Sequence, residues 1–221
     1  MIKGVIFDLD GTLLNTLDDL CDSTNFALNK FGYPMRTIEE IRNFVGNGVK
    51  ILIERAIPNG TKNKHFKDCL ETFKNHYKAN MYNKTAPYCG IEGMLKTLQK
   101  NNIQIAVVSN KFDLAVKELC KKYFGDLIQV AIGENEAAGI RKKPAPDSVL
   151  KAIKELNLSI SNSIYVGDSE TDVQTAKNSD LKCIGCTWGF RDEDILIKEG
   201  ANYIVHTPED ILKIVLENKA I

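Results

Sequence analysis

Histidine is scarce in this chain, tryptophan occurs once, net charge is zero, and no apolar run reaches membrane length. Each absence excludes something. His65, His76 and His206 are scattered, which argues against a histidine-based metal or nucleophile centre. Lys plus Arg equals Asp plus Glu at 29 each, so no electrostatic footprint for nucleic acid or a membrane surface is present. The missing apolar run, and an N-terminus that opens on a strand without a secretory h-region, predict a cytoplasmic protein without a membrane partner. The six cysteines (Cys21, Cys69, Cys89, Cys120, Cys183 and Cys186) are too dispersed for a disulfide framework. Cys183 and Cys186 form a C-x-x-C, but inside KCIGCTW they read as opposite faces of one strand, with no second pair and no nearby histidine. They are expected to be buried structural thiols. Repeats, low-complexity tracts and long linkers are also missing.

What is present begins at the N-terminus. Gly4 to Phe7 is an apolar run of strand length, and it ends in Asp8, Asp10, Gly11 and Thr12. A buried parallel strand reads as a continuous apolar run, and its carboxyl end is where open α/β sheets place ligands. Two acids at i and i+2 share a side of an extended segment. Like charges so close require a cation, a shared proton, or both.

After Leu14 the periodicity becomes helical. Leu17 to Phe31 presents one apolar face, with Thr16 and Asp19 placed as a capping box and Gly32 as a C-terminal stop. Thr37-x-x-Glu40 opens a short second helix, a third stops before Pro58, and a fourth is expected from about Thr61 to about Met81. Four consecutive helices after one strand read as an insertion, not as an ordinary crossover. From about Asn83 strands and helices alternate. The strands are expected at Ile103–Val108, Leu127–Ile132, Ser163–Gly167 and Leu181–Cys186, with short elements closing the chain. The prediction is an α/β fold: a doubly wound, mostly parallel sheet formed by residues 1–14 and 83–221, with an inserted α-helical domain over residues 15–82.

The strand ends carry the chemistry. Asp8, Ser109 and Asp168 end three predicted strands, and Lys143 ends the loop after another, so all four face one sheet edge. An acid cluster with one hydroxyl and one lysine fits phosphoryl chemistry. Carboxylates hold Mg²⁺, while the hydroxyl and ammonium bind phosphoryl oxygens. Ser109, in VSNK, also reads as a helix N-cap. Asp172 follows Asp168 by one helical turn; it reads either as a supporting acid or as a solvated first-turn acid facing the helix dipole. In RKKPAPD, Arg141 and Lys142 read as solvated and Lys143 as functional.

In that order, DLDGT, Ser109 after an apolar strand, Lys143 before Pro144, and GDSETD (Gly167 to Asp172) resemble the four motifs of the haloacid dehalogenase superfamily. The helical insertion is similar to that family's cap. The resemblance implies a Rossmann-like core and a Mg²⁺-dependent hydrolase. Asp8 would be the nucleophile, forming an aspartyl-phosphate, and Asp10 the general acid and then base. Ser109 and Lys143 would hold the phosphoryl group. Asp8, Asp168 and the Asp10 carbonyl would be the metal ligands, and Asp172 a support. Thr12 and Asn110, beside these motifs, are added as substrate contacts.

Within the family, VGNGVKILIERAI and CTWGF look most like phosphoglycolate phosphatase, which implies 2-phosphoglycolate as substrate. Gly46, Asn47 and Gly48 precede a helix N-terminus and would bind a second anionic group. Arg42 and Lys50 read as surface charges. Asn15 stands where many relatives have Asp, and Ser179-Asp180 where Ala-Gly is usual. Pyrophosphatase, nucleotidase, sugar-phosphate phosphatase and β-phosphoglucomutase are the enzymatic alternatives. A receiver-type phosphoacceptor domain is disfavoured by motif order and by length. The expected partner is a small phosphorylated metabolite, with the chain a monomer or weak homodimer. The cap is expected to open and close about residues 14–16 and 82–85.

Overall fold

Val5, Ile6 and Phe7 are all fully buried, so the first strand is apolar on both faces and has to lie inside a sheet. In the computed structural model, which describes residues 1–217 except Glu136 and Ala138, β1 (Gly4–Phe7) pairs in parallel with β4 (Gln104–Phe112) on one side and β6 (Ser163–Gly167) on the other. Outside these run β5 (Val130–Glu134), β7 (Lys182–Cys186) and β8 (Tyr203–Val205), giving a six-stranded parallel sheet in the order β5-β4-β1-β6-β7-β8. Strand order reverses beside β1. The carboxyl ends of β1, β4 and β6 therefore flank the crevice where such sheets bind ligands.

Helices α5 (Ile91–Lys100), α6 (Asp113–Phe124), α7 (Asp147–Glu155), α8 (Glu170–Asn178), α9 (Glu193–Glu199) and α10 (Pro208–Glu217) connect and cover the strands. One core cluster joins Ile6, Ala106, Tyr165 and Cys183 of the sheet to Val149 and Ile153 of α7 and Val173 and Ala176 of α8. Ile6, Ala106 and Tyr165 are register partners in neighbouring parallel strands, so they share a face.

The chain divides into two compact units, Met1–Leu14 with Pro87–Ile221, and Asn15–Ala86. The second crossing falls after Ala86, whereas the sequence pattern placed it at 82/83. The chain passes between the units at two short strands, β2 (Leu14–Asn15) and β3 (Ala86–Pro87), which pair with each other. The second unit holds α1 (Leu17–Lys30), α2 (Ile38–Phe44), α3 (Val49–Ala56) and α4 (Phe66–Asn80). The Thr37/Glu40 capping box is formed, with Thr37 N–H donating to Glu40 at 2.8 Å and Glu40 N–H to Thr37 Oγ1 at 3.2 Å. Among the described residues no helix is long and apolar enough to cross a membrane.

Three local expectations are corrected. Thr16 caps α1 by position only; its side chain makes no capping bond. Asp19 turns instead to the returning chain, accepting from the Lys84 and Thr85 amides and the Thr85 hydroxyl at 2.8–3.1 Å. The fourth helix starts at Phe66, not near Thr61, because Asn59 and Gly60 adopt positive φ and a 3₁₀ turn occupies Gly60–Lys62. The strand placed at Leu127–Ile132 begins at Val130, after a 3₁₀ turn at Gly125–Leu127.

Candidate active site

The reversal in strand order brings Asp8, after β1, together with Lys143 and with Asp168, after β6. Lys143 Nζ lies 2.7 Å from Asp8 Oδ1 and 2.8 Å from Asp172 Oδ1. One oxygen from each of Asp8, Asp168 and Asp172 lies within 4.8 Å of the others. All four side chains are buried; Asp172 has no exposed surface and Asp168 has 1%. The contact between Lys143 and Asp8 is an ion pair without hydrogen-bond alignment, so Asp8 Oδ1 has a charge neighbour but no directed donor.

The oxygens of Asp168 and Asp172 are held by specific donors. Asp168 Oδ1 accepts from Thr12 Oγ1 at 2.8 Å and Oδ2 from the Phe190 amide at 2.8 Å. Asp172 Oδ1 accepts from Lys143 Nζ and from the Tyr165 hydroxyl at 2.9 Å, while Oδ2 takes the Ser169 amide at 3.1 Å and hydroxyl at 2.5 Å. Ser169 and Asp172 form the capping box that starts α8. That box fixes Asp172 in the interior and rules out the solvated first-turn reading.

Glycine explains how the carboxylates fit so closely. Gly11 has φ +90°, and a methyl group there, or on Gly189, would overlap the Asp168 carboxylate. This gives physical content to the glycines of DLDGT and CTWGF. Trp188 of CTWGF adds a hydrogen bond from Nε1 to the Thr12 carbonyl at 3.0 Å.

Electrostatics follow from burial. Desolvation first, and the Asp172 charge second, pushes Asp8 upward and Asp168 up to about 7. Burial works against a charged Lys143, but Asp172 and Asp8 outweigh it and hold its pKa above the ordinary lysine value. Burial, then Asp172, also raises Tyr165, which keeps its phenol a donor. Within this cluster three buried carboxylates face one ammonium.

Asp10 lies apart from that knot. Its two oxygens are 2.8 and 3.0 Å from Nζ of Lys111, a residue the sequence pattern had not singled out. The signal was available: β4 continues past Ser109 to Phe112, and in an extended segment Ser109 and Lys111 share a side. For the same reason Ser109 is not an N-cap, since α6 begins at Asp113. Its Oγ accepts from the Lys111 amide at 3.2 Å.

The side chains of two expected substrate contacts have partners within the protein. Thr12 is fully buried and its hydroxyl proton is committed to Asp168. The Asn110 amide clamps the Lys143 backbone, accepting from its N–H at 2.8 Å and donating to its carbonyl at 3.1 Å. Lys142 is not simply solvated, because it pairs with Glu134 at 2.9 Å; the exposed Arg141 pairs with Asp147 at 2.6 Å. Gly46, Asn47 and Gly48 lie in the helical unit between α2 and α3, with φ of +107° at Gly46 and +84° at Gly48, the N-cap of α3. Arg42 is within 3.9 Å of Glu39.

Comparison with known proteins agrees with this geometry. Residues 5–186 match the family model described as haloacid dehalogenase-like hydrolase. The phosphoglycolate phosphatase of Pseudomonas putida is 32% identical over 192 residues, covering 84% of this chain and 70% of that protein. The phosphoglycolate phosphatase of Aquifex aeolicus is 28% identical over 218 residues, 96% of each chain. A crystal structure from Lactobacillus delbrueckii subsp. bulgaricus, of a protein named as a candidate phosphoglycolate phosphatase, superposes with a TM-score of 0.91 at 36% identity, covering 97% of this chain and 98% of that one. The chain thus belongs to the haloacid dehalogenase-like hydrolase family, as one of its phosphatases.

Proposed function

We propose that the protein is a Mg²⁺-dependent phosphatase that hydrolyses 2-phosphoglycolate through a phosphoryl-Asp8 intermediate. The observation that carries the reading is the knot of three buried carboxylates, Asp8, Asp168 and Asp172, of which Asp8 and Asp172 pair with the ammonium of Lys143. With all three ionised its charge is two units negative, and Asp8 Oδ1 has no directed donor. Both features fit a divalent cation with oxygen ligands. Asp8, Asp168 and the Asp10 carbonyl would hold it. Asp172, with both oxygens already taken by four donors, serves Lys143 instead. Bound Mg²⁺ supplies charge neutralisation for the acids and for the phosphoryl oxygens.

The chain's own groups then do the following. Lys143 and Ser109 hold the phosphoryl oxygens against Asp8. An Asp8 oxygen forms a bond to phosphorus as the ester oxygen leaves, and that oxygen takes the proton of Asp10 to depart as the alcohol. A water next gives a proton back to Asp10 while its oxygen bonds to phosphorus. The Asp8–phosphorus bond breaks, releasing inorganic phosphate and the free carboxylate. The Gly46–Gly48 loop selects the substrate's second anionic group through backbone N–H donors.

The choice of 2-phosphoglycolate rests on the names of the P. putida and A. aeolicus relatives and on the VGNG loop. kcat/KM across 2-phosphoglycolate, pyrophosphate, nucleotides and sugar phosphates tests it. The expected result is that 2-phosphoglycolate ranks first. A higher rank for any of the others overturns the substrate and leaves the phosphatase class standing.

A further inference from the structure

We infer that Lys111 is a positioning residue that sets the orientation of the Asp10 carboxylate for both of its proton transfers. A lysine ammonium is rarely found inside a protein unless it is paired. The side chain of Lys111 is 2% exposed, and its ammonium is within hydrogen-bond reach of both Asp10 oxygens, at 2.8 and 3.0 Å. A contact to one oxygen leaves a carboxylate free to turn about its last torsion; a contact to both fixes its plane.

The backbone explains how Lys111 comes to be there. β4 does not stop where the apolar run ends but continues through Ser109, Asn110 and Lys111 to Phe112. Its register with β5 shifts between Val108 and Phe112, the kind of irregularity that re-aims side chains at a sheet edge. Three successive residues then serve the site in three ways. Ser109 Oγ accepts from the Lys111 amide, Asn110 clamps the Lys143 backbone, and Lys111 holds Asp10.

The inference rests on the reading of Asp10 as general acid and base. That role demands hydrogen-bond reach to the ester oxygen in one step and to water in the next, and small misplacements are costly. In the described structure Asp10 takes no part in the knot that fixes Asp8, Asp168 and Asp172. Its side chain is 19% exposed, and the Lys111 ammonium is the contact that fixes both its oxygens.

The test exploits the leaving group. Alcohols such as glycolate need a proton to leave, whereas p-nitrophenolate does not. With Lys111→Met in the full-length chain, kcat on 2-phosphoglycolate should fall about a hundredfold with KM little changed. On p-nitrophenyl phosphate, first-turnover release of p-nitrophenol should stay within about threefold of the parent, followed by slow turnover because the water step still needs Asp10. Lys111→Arg, which keeps a forked cation, should recover most of kcat. If the methionine variant does not fold, Lys111→Gln, with a donor but no charge, carries the same measurement. Equal losses of kcat and first-turnover rate on the two substrates would reduce Lys111 to a structural role. A rise in KM for 2-phosphoglycolate alone would make it a binder of the substrate's carboxylate, and unchanged kinetics would remove it altogether. Each of these overturns the inference. Asp8→Asn is run in parallel: if it turns over normally, the reading of the whole site has failed, whereas a dead Asp8→Asn beside an unaffected Lys111→Met discards the positioning role alone.

Discussion

The two units of the chain use buried polar groups for different ends. In the α/β unit, Asp8, Lys143, Asp168, Asp172, Thr12 and Tyr165 are all buried and are linked through one small cluster. In the helical unit, polar contacts secure local architecture. Asp19 ties α1 to the Lys84–Thr85 segment, Thr37 and Glu40 cap α2, and Asn25 holds the Arg36 backbone at 2.7 and 2.9 Å. Satisfying a buried polar group is a requirement of folding anywhere. Concentrating three carboxylates around one lysine is not, because it leaves charge that the fold alone does not neutralise. The difference favours the first unit for the proposed chemistry and leaves the second, with its positive-φ Gly46 and Gly48, as the candidate selector of substrates.

That division can be broken experimentally. Asp8→Asn removes the proposed nucleophile while preserving volume, and turnover should fall by about a thousandfold or more in steady-state assays of every substrate. Survival of activity would separate the cluster from catalysis. Lys143→Met leaves Asp8 and Asp172 without their shared cation. kcat should drop about a hundredfold, with a lower melting temperature, since an uncompensated buried charge is destabilising. A smaller effect is expected from the helical unit. Gly48→Ala strains a backbone at φ +84°, and should raise KM for 2-phosphoglycolate about tenfold while leaving p-nitrophenyl phosphate hydrolysis nearly unchanged. Loss of both activities would merge the two roles.

The smallest effect concerns pH. Asp8 and Asp168 are both raised in the folded protein, Asp168 to about 7, by burial and then by Asp172. Between its unfolded pKa of about 4 and its folded value, such a group binds more protons folded than unfolded. Its contribution to stability is therefore complete below about pH 4 and is lost as pH rises through the folded pKa. Without metal, the melting temperature should fall by a few degrees from about pH 5.5 to about pH 8. Added Mg²⁺ should restore more at the higher pH, where the carboxylates need no longer give up protons to bind it. Melting curves with and without Mg²⁺ at both pH values check the sign.

Much of the sheet that carries the candidate site was legible in the sequence, because its signals are local. Gly4–Phe7 and Ser163–Gly167 are apolar runs that end in acids, and both are strands with those limits. The Thr37-x-x-Glu40 box is likewise a short-range device and is formed. What escaped depends on partners distant in the chain. Asp19 could not be read as a tether for Lys84 and Thr85, 65 and 66 residues away. Lys111 was not singled out because its partner, Asp10, is 101 residues earlier. The partners of the Thr12 and Asn110 side chains, Asp168 and the Lys143 backbone, lie across separations of 156 and 33 residues. Tyr165 reads as an ordinary strand residue until the register sets its hydroxyl against Asp172.

The most direct test of the central claim is to trap the covalent intermediate. An Asp10→Asn variant lacks the proposed base for the water step and should accumulate phosphoryl-enzyme from p-nitrophenyl phosphate and Mg²⁺. Reduction with borohydride and peptide mass spectrometry should place the modification on Asp8 alone. Release of a full equivalent of p-nitrophenol with no modification at Asp8, or with the modification on another residue, would contradict the account.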